Sequence, residues 1–197
     1  MTELAFMVVC FMGMLFVVQN FLVKPFRIPS ESMVPTLQVG DRVLVNRLAD
    51  RWSDPQVGQV VVFYPPAGAE MSPTRCGNSE EGFSTAKVCG RPAGDPVKQM
   101  PYIKRVVAVG GDTVAVRGGR LIRNGKAVQE RYAQLCPDGP AFCDFPEPVK
   151  VPAGHLFMMG DNRGHSNDSR FWGPVPRSYV IGRAAVNFWP VPRVRAL

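Results

Sequence analysis

The apolar run LAFMVVCFMGMLFVVQNFLV, Leu4 to Val23, constrains this chain more than any other feature. Among its twenty residues only Gln19 and Asn20, near the end, are strongly polar. As a helix rising about 1.5 Å per residue, the run would measure roughly 30 Å, the hydrocarbon thickness of a bilayer. A cleaved signal peptide has a shorter apolar region of about 7–15 residues, followed by small residues at the cut. Here QNFLVKPFR follows, with no A-x-A-like site. A buried core helix is rarely apolar on all sides over such a length. The sequence therefore predicts one N-terminal transmembrane α-helix over residues 1–23 and a single further domain over residues 24–197. With 46% hydrophobic and 20% charged residues, that domain can bury a packed core.

Two signals bear on which side of the membrane the domain occupies, and they disagree. Lys24 and Arg27 follow the apolar run, and none of the residues before it is basic. Taken alone, this charge bias would keep the domain in the cytoplasm, although the rule weakens for long domains. The cysteines point the other way. Cys10 lies inside the run, whereas Cys76, Cys89, Cys136 and Cys143 lie in polar stretches as two local pairs. Neither spacing is C-x-x-C, which argues against zinc. Paired loop cysteines suit an oxidising compartment. Four cysteines allow three connectivities; the local pairs Cys76–Cys89 and Cys136–Cys143 are favoured.

All 23 lysines and arginines follow residue 23, and the chain carries a net charge of +7. No basic stripe interleaved with aromatics is present, so a basic face on anionic lipid headgroups fits better than nucleic acid.

Beyond the apolar run the chain reads as mostly β. GDRVLVNRL (40–48) and GQVVVFYPP (58–66) are Val-rich and bounded by turn formers. Residues 102–128 read as successive strands with turns at Gly110–Asp112, Gly118–Gly119 and Asn124–Gly125, the last pair a strong hairpin signal. A final strand falls at IGRAAVNFW. Two stretches, 66–100 and 129–150, lack a period and are rich in Gly, Pro and charge; each reads as an insertion pinned by one cysteine pair. The soluble part is thus expected to be an antiparallel sheet with loop and β insertions.

Several chemistries can be set aside from residue types alone. Only His155 and His165 are present, neither amid ligand-spaced carboxylates, so no metal is expected, and no organic cofactor either. The glycine pairs match no phosphate-binding loop. A Ser-His-Asp triad can be drawn through His165, Asp161 and Asp168, but no G-x-S-x-G elbow accompanies it.

A serine activated by a lysine remains. Such a lysine must be neutral when it accepts the proton, yet a free lysine at pH 7.5 is neutral about one time in a thousand. Lowering its pKa by about three units costs roughly 4 kcal/mol, within reach of burial if no carboxylate pairs with it. Lys104 meets the requirement. In YIKRVVAV, a period of two puts Tyr102, Lys104, Val106 and Ala108 on one apolar face, and no acid falls between Asp95 and Asp112. Lys98, Lys126 and Lys150 lie in polar surroundings. Ser30 and Ser32, framed by Pro29 and Pro35, supply hydroxyls in a stiffened turn just beyond the apolar run.

Four boxes, IPSESMVPTL, GDRVLVNR, YIKRVVAVGGD and GDNRGHSNDSR, together resemble those of bacterial type I signal peptidases, membrane-anchored serine proteases with a Ser-Lys dyad. The resemblance implies removal of signal peptides from exported preproteins after small residues (an A-x-A-type site), at the periplasmic face of the inner membrane. By position it implies Ser32 as nucleophile, Lys104 as general base, Ser30 with the Ser32 N–H as oxyanion hole, and Ser166 as the group orienting the lysine. It further implies that Arg105, Asp161, Asp168 and Arg170 brace the site through ion pairs. Phe26, Ile28, Met33, Leu37, Tyr102 and Ile103 would line the pockets for the substrate's −1 and −3 residues. The sequence departs from the common pattern at Gly164-His165, where many bacterial members have Asp-Asn, and at Gln59. Signal peptides and the bilayer are the implied partners. Two alternatives are a specialised processor of pilus or conjugation subunits and a non-catalytic membrane-tethered β binding module.

Overall fold

The structure, a computed structural model, describes residues 2–17, 22–48, 53–67, 69, 94–98, 100–136 and 143–197. An N-terminal α-helix, Thr2–Val17, presents apolar side chains on every side, with Leu4, Phe6, Val9 and Met12 all exposed. It is shorter than the expected span. Sixteen residues make about 24 Å of helix, and no helix among the described residues is long and apolar enough to cross a membrane. Val23, expected at the helix end, instead opens the first strand, where its backbone finds partners across a sheet ladder.

Twelve strands follow among the described residues: β1 Val23–Arg27, β2 Arg42–Asn46, β3 Val60–Phe63, β4 Tyr102–Val109, β5 Thr113–Arg117, β6 Arg120–Arg123, β7 Lys126–Ala127, β8 Phe145–Lys150, β9 His155–Met159, β10 Val175–Pro176, β11 Val180–Trp189 and β12 Arg195–Ala196. The larger sheet runs β1-β2-β11-β3-β4-β9-β10, with β12 added to β11; the smaller runs β7-β6-β5-β8. All strand pairings are antiparallel, as the short Val-rich strands and turn spacing predict. The Asn124-Gly125 hairpin closes β6 onto β7 with both turn residues at positive φ, 52° and 75°.

Among the described residues, three apolar clusters hold the sheets. One joins them through Val107, Ala108, Val114, Leu121, Phe145 and Phe157. A second packs Ile28, Met33, Leu37, Val43, Val60 and Ile103. A third places Phe63, Val106, Met158 and Trp172 together, with Tyr102 against them. Fully buried side chains of this size each contribute about 1.5–3 kcal/mol. The strand β4 passes through all three clusters. Its expected strict alternation holds from Tyr102 to Val106 and then breaks: a register shift against β9 falls between Val106 and Ala108, so Val107 and Ala108 both enter the inter-sheet cluster.

The two expected insertions differ. The ends of 66–100 close on each other, with Ala67 N–H donating to the Asp95 carbonyl and Val97 N–H to that of Pro65, both at 2.7 Å. Cys76 and Cys89 lie outside the described residues. The stretch 129–150 is less loop-like than expected, because its last six residues form β8 against β5, anchored by buried Phe145. Cys136 and Cys143 are joined by a disulfide, with Cα atoms 6.5 Å apart.

Candidate active site

Ser32 sits in a single 3-10 turn, Glu31–Met33, at the head of a closed loop. The loop's base is fixed by Ile28 N–H to the Asp41 carbonyl and Gly40 N–H to the Ile28 carbonyl, each 2.9 Å. The buried Asp41 carboxylate adds bonds from Gln38 N–H (3.0 Å) and Asn187 Nδ2 (2.9 Å). Met33 and Leu37 plug the loop into the second cluster. Ser32 therefore has little freedom to wander, although no regular strand or helix carries it.

Lys104, on β4, donates from Nζ to Ser32 Oγ at 2.6 Å. The lysine is 4% exposed and the serine 6%. Burial pushes the amine down from its ordinary value to about 8. Asp168 opposes that push, Arg170 reinforces it, and Asp161 opposes it more weakly. At pH 7.5 a group titrating near 8 is neutral about one time in four. Ser30 Oγ lies 3.4 Å from Ser32 Oγ on the exposed side of the turn.

The residues expected to brace the site come together as two buried ion pairs. Arg105 grips Asp161 with Nε at 2.8 Å and Nη2 at 2.6 Å, and its Nη1 donates to the Gly58 carbonyl. Arg170 grips Asp168 with Nε at 2.8 Å and Nη2 at 2.9 Å. Burial alone would raise the Asp168 carboxyl; Arg170 and the Gly160 N–H outweigh it and hold the group below its usual range. Ser166 is buried against this carboxylate and favours its ionised form, in a geometry short of a regular hydrogen bond. Of the six residues expected to line substrate pockets, Phe26 and Tyr102 keep partial exposure, while Ile28, Met33, Leu37 and Ile103 lie in the core beneath the turn. His165 bonds to neither Asp161 nor Asp168; its Nδ1 lies 3.3 Å from Asn162 Oδ1.

Three contributors escaped the sequence reading. Asn162 ties its loop to the candidate nucleophile: its N–H donates to the Ser32 carbonyl at 3.0 Å and its Nδ2 to the Glu31 carbonyl at 3.3 Å. Gly160 lets the two segments touch, since a Cβ there would stand 2.5 Å from the Ser32 carbonyl oxygen and collide with the Ser166 side chain. The stretch 129–150 supplies the third: Tyr132 stacks 3.9 Å from the Arg105 guanidinium, Glu130 pairs with buried Arg163 at 2.7 Å, and Gln134 N–H donates to the Asp161 carbonyl. The conspicuous GDNR run was the one available hint for the first two.

Residues 1–189 match the family described as signal peptidase, peptidase S26. The chain belongs to this family of peptidases. It is 37% identical to a signal peptidase I of Leptolyngbya laminosa, over 91% of this chain and 75% of that protein. It is 36% identical to a probable signal peptidase I of Mycobacterium leprae, over 97% of this chain and 77% of that one. A crystal structure of a signal peptidase I from Enterococcus faecalis aligns with 68% of this chain and 98% of its own, at a TM-score of 0.43 and 22% identity.

Proposed function

We propose that this S26 peptidase removes signal peptides from exported preproteins, cleaving after small residues with Ser32 as nucleophile and Lys104 as general base. The observation that carries the reading is the 2.6 Å contact between a buried amine and a buried hydroxyl. A nearby base is what an ordinary serine needs to become nucleophilic. Neutral Lys104 takes the Ser32 proton as Oγ attacks the scissile carbonyl. Ser30 Oγ and the Ser32 N–H stabilise the resulting oxyanion; one such donor is worth about 10²- to 10³-fold in rate. The lysine ammonium then gives its proton to the departing amine. Water, deprotonated by the same lysine, hydrolyses the acyl-enzyme and returns Ser32 to its starting state. Ser166 and the Asp168–Arg170 pair hold the ground around the amine without touching substrate, and Arg105–Asp161 does the same on the far side of β4.

The N-terminal helix completes the reading as a bilayer anchor, with the domain on the extracytoplasmic side of a bacterial inner membrane. Its all-round apolar surface has no protein to cover it among the described residues, and the Cys136–Cys143 bridge suits an oxidising compartment. With β1 starting at Val23 and Ser32 nine residues further on, the hydroxyl would lie close to the membrane surface, where a membrane-embedded signal peptide ends. The test is cleavage of a purified precursor carrying an A-x-A site. The wild-type protein should cut after the second alanine and Ser32→Ala should not; cutting by Ser32→Ala at the wild-type rate overturns the proposal. A panel of unrelated precursors separates a general enzyme, which cuts most of them, from a processor of one pilus-type subunit.

A further inference from the structure

A groove of 490 Å³ borders the nucleophile turn on a side that the mechanism above does not use, lined by Glu31, Val34, Val39, Gln134, Asn162 and His165 among others. Its volume falls in the range of ordinary ligand sites, about 300–1,000 Å³. The groove is attached to the turn itself, because Asn162 holds the carbonyls of both Ser32 and Glu31. Its lining includes neither Phe26 nor Tyr102, the two residues that keep exposure among those expected to receive the substrate before the scissile bond. A peptide cut at Ser32 has two arms. With one arm along the Phe26–Tyr102 side, the groove on the flank of the same turn is left for the other. Its chemistry is also different: among the described residues it is lined by two valines, three amide side chains, one imidazole (His165) and one carboxylate (Glu31), and by neither lysine nor arginine. Glu31 is exposed and directly precedes the nucleophile.

We infer that this groove receives the first residues of the released chain, just after the scissile bond, and that Glu31 makes it prefer basic over acidic side chains there. The inference rests on the signal-peptide processing reading and adds to it a selectivity on the leaving side. An exposed charge pair is worth a factor of about two to five, and salt screens it.

The experiment uses the full chain in detergent and three precursors identical except for Lys, Gln or Glu at the second position after the cut. In the wild-type protein, kcat/KM for the Lys precursor should exceed that for the Glu precursor by a factor of about two to five. Glu31→Gln should bring the ratio to about one and Glu31→Lys should invert it, with both departures shrinking in about 1 M salt. A change of fold would move all three precursors together and leave the ratio unchanged. Equal cleavage of the three by wild-type protein, or a ratio that Glu31→Lys leaves as it was, sinks the groove assignment while Ser32-dependent cleavage stands. Absence of Ser32-dependent cleavage of every precursor sinks both.

Discussion

Lys104 and Arg105 are neighbours on β4, and both are buried, at 4% and 8% exposure. On one face of the strand the amine bonds to a neutral hydroxyl and makes no ion pair among the described residues. On the other, the guanidinium is clasped by both oxygens of Asp161, capped by the Gly58 carbonyl and covered by the Tyr132 ring. Burial pushes both cations towards losing a proton. It succeeds with Lys104, whose value drops to about 8, and fails with Arg105, which the adjoining carboxylate holds above its ordinary value. Removal from water makes a proton available; a contact carboxylate keeps it in place. The same strand thus carries an easily deprotonated amine on one side and a fixed charge on the other.

The comparison breaks most visibly if the lysine is dispensable. Lys104→Ala should lower kcat/KM for precursor cleavage by about 10²- to 10⁴-fold, and the wild-type rate should climb with pH through about 8. A flat pH profile would contradict the role of the neutral amine. Next in size, Asp168→Asn removes one partner of a buried pair and should cost about 3–5 kcal/mol in urea unfolding, since Arg170 is left charged without its carboxylate. Because Asp168 also opposes the depression of Lys104, any folded fraction of that variant should show its pH–rate midpoint displaced to lower pH.

A smaller effect has the opposite sign. Lys104→Met should stabilise the fold by about 1–3 kcal/mol at pH 7, because a buried amine titrating near 8 is a cost below that value. From pH 8 to about 10.5 the unfolded chain still binds a proton that the folded one has lost, so wild-type stability rises and the advantage of methionine fades. Equal thermal melting of the two proteins at pH 7 would mean that the amine is better solvated than its burial indicates. Smallest of all, His165→Ala should change cleavage by less than about threefold, since the imidazole contacts neither acid of the apparent triad.

Much of the site could be read from local patterns. The strand bearing Lys104 was legible because its apolar run and its lack of nearby acids are both local properties. Its true electrostatic surroundings were not, because Asp161 and Asp168 arrive from another part of the chain through the β4–β9 pairing. Those acids oppose the depression that burial produces, and burial outweighs them, so the direction of the shift follows from the strand's own apolar pattern. The bulge after Val106 and the part played by 129–150 were hidden for a similar reason. A stretch without period reads as a loop, yet Tyr132, Glu130 and Gln134 gain their meaning from Arg105, Arg163 and Asp161. The helix end was misplaced because hydropathy alone does not distinguish the last residues of an apolar helix from the first of an apolar strand, and Val23 serves the strand.

Gly160 leaves no room for even a methyl group between the loop that carries Asn162 and the turn that carries Ser32. One of the obstructing atoms is the backbone oxygen of Ser32 itself, which no side-chain rotation can move aside. An alanine at this point would act as a shim, displacing the Ser32 hydroxyl while leaving every chemical group in the protein intact, so the proposed cleavage should fail through alignment alone.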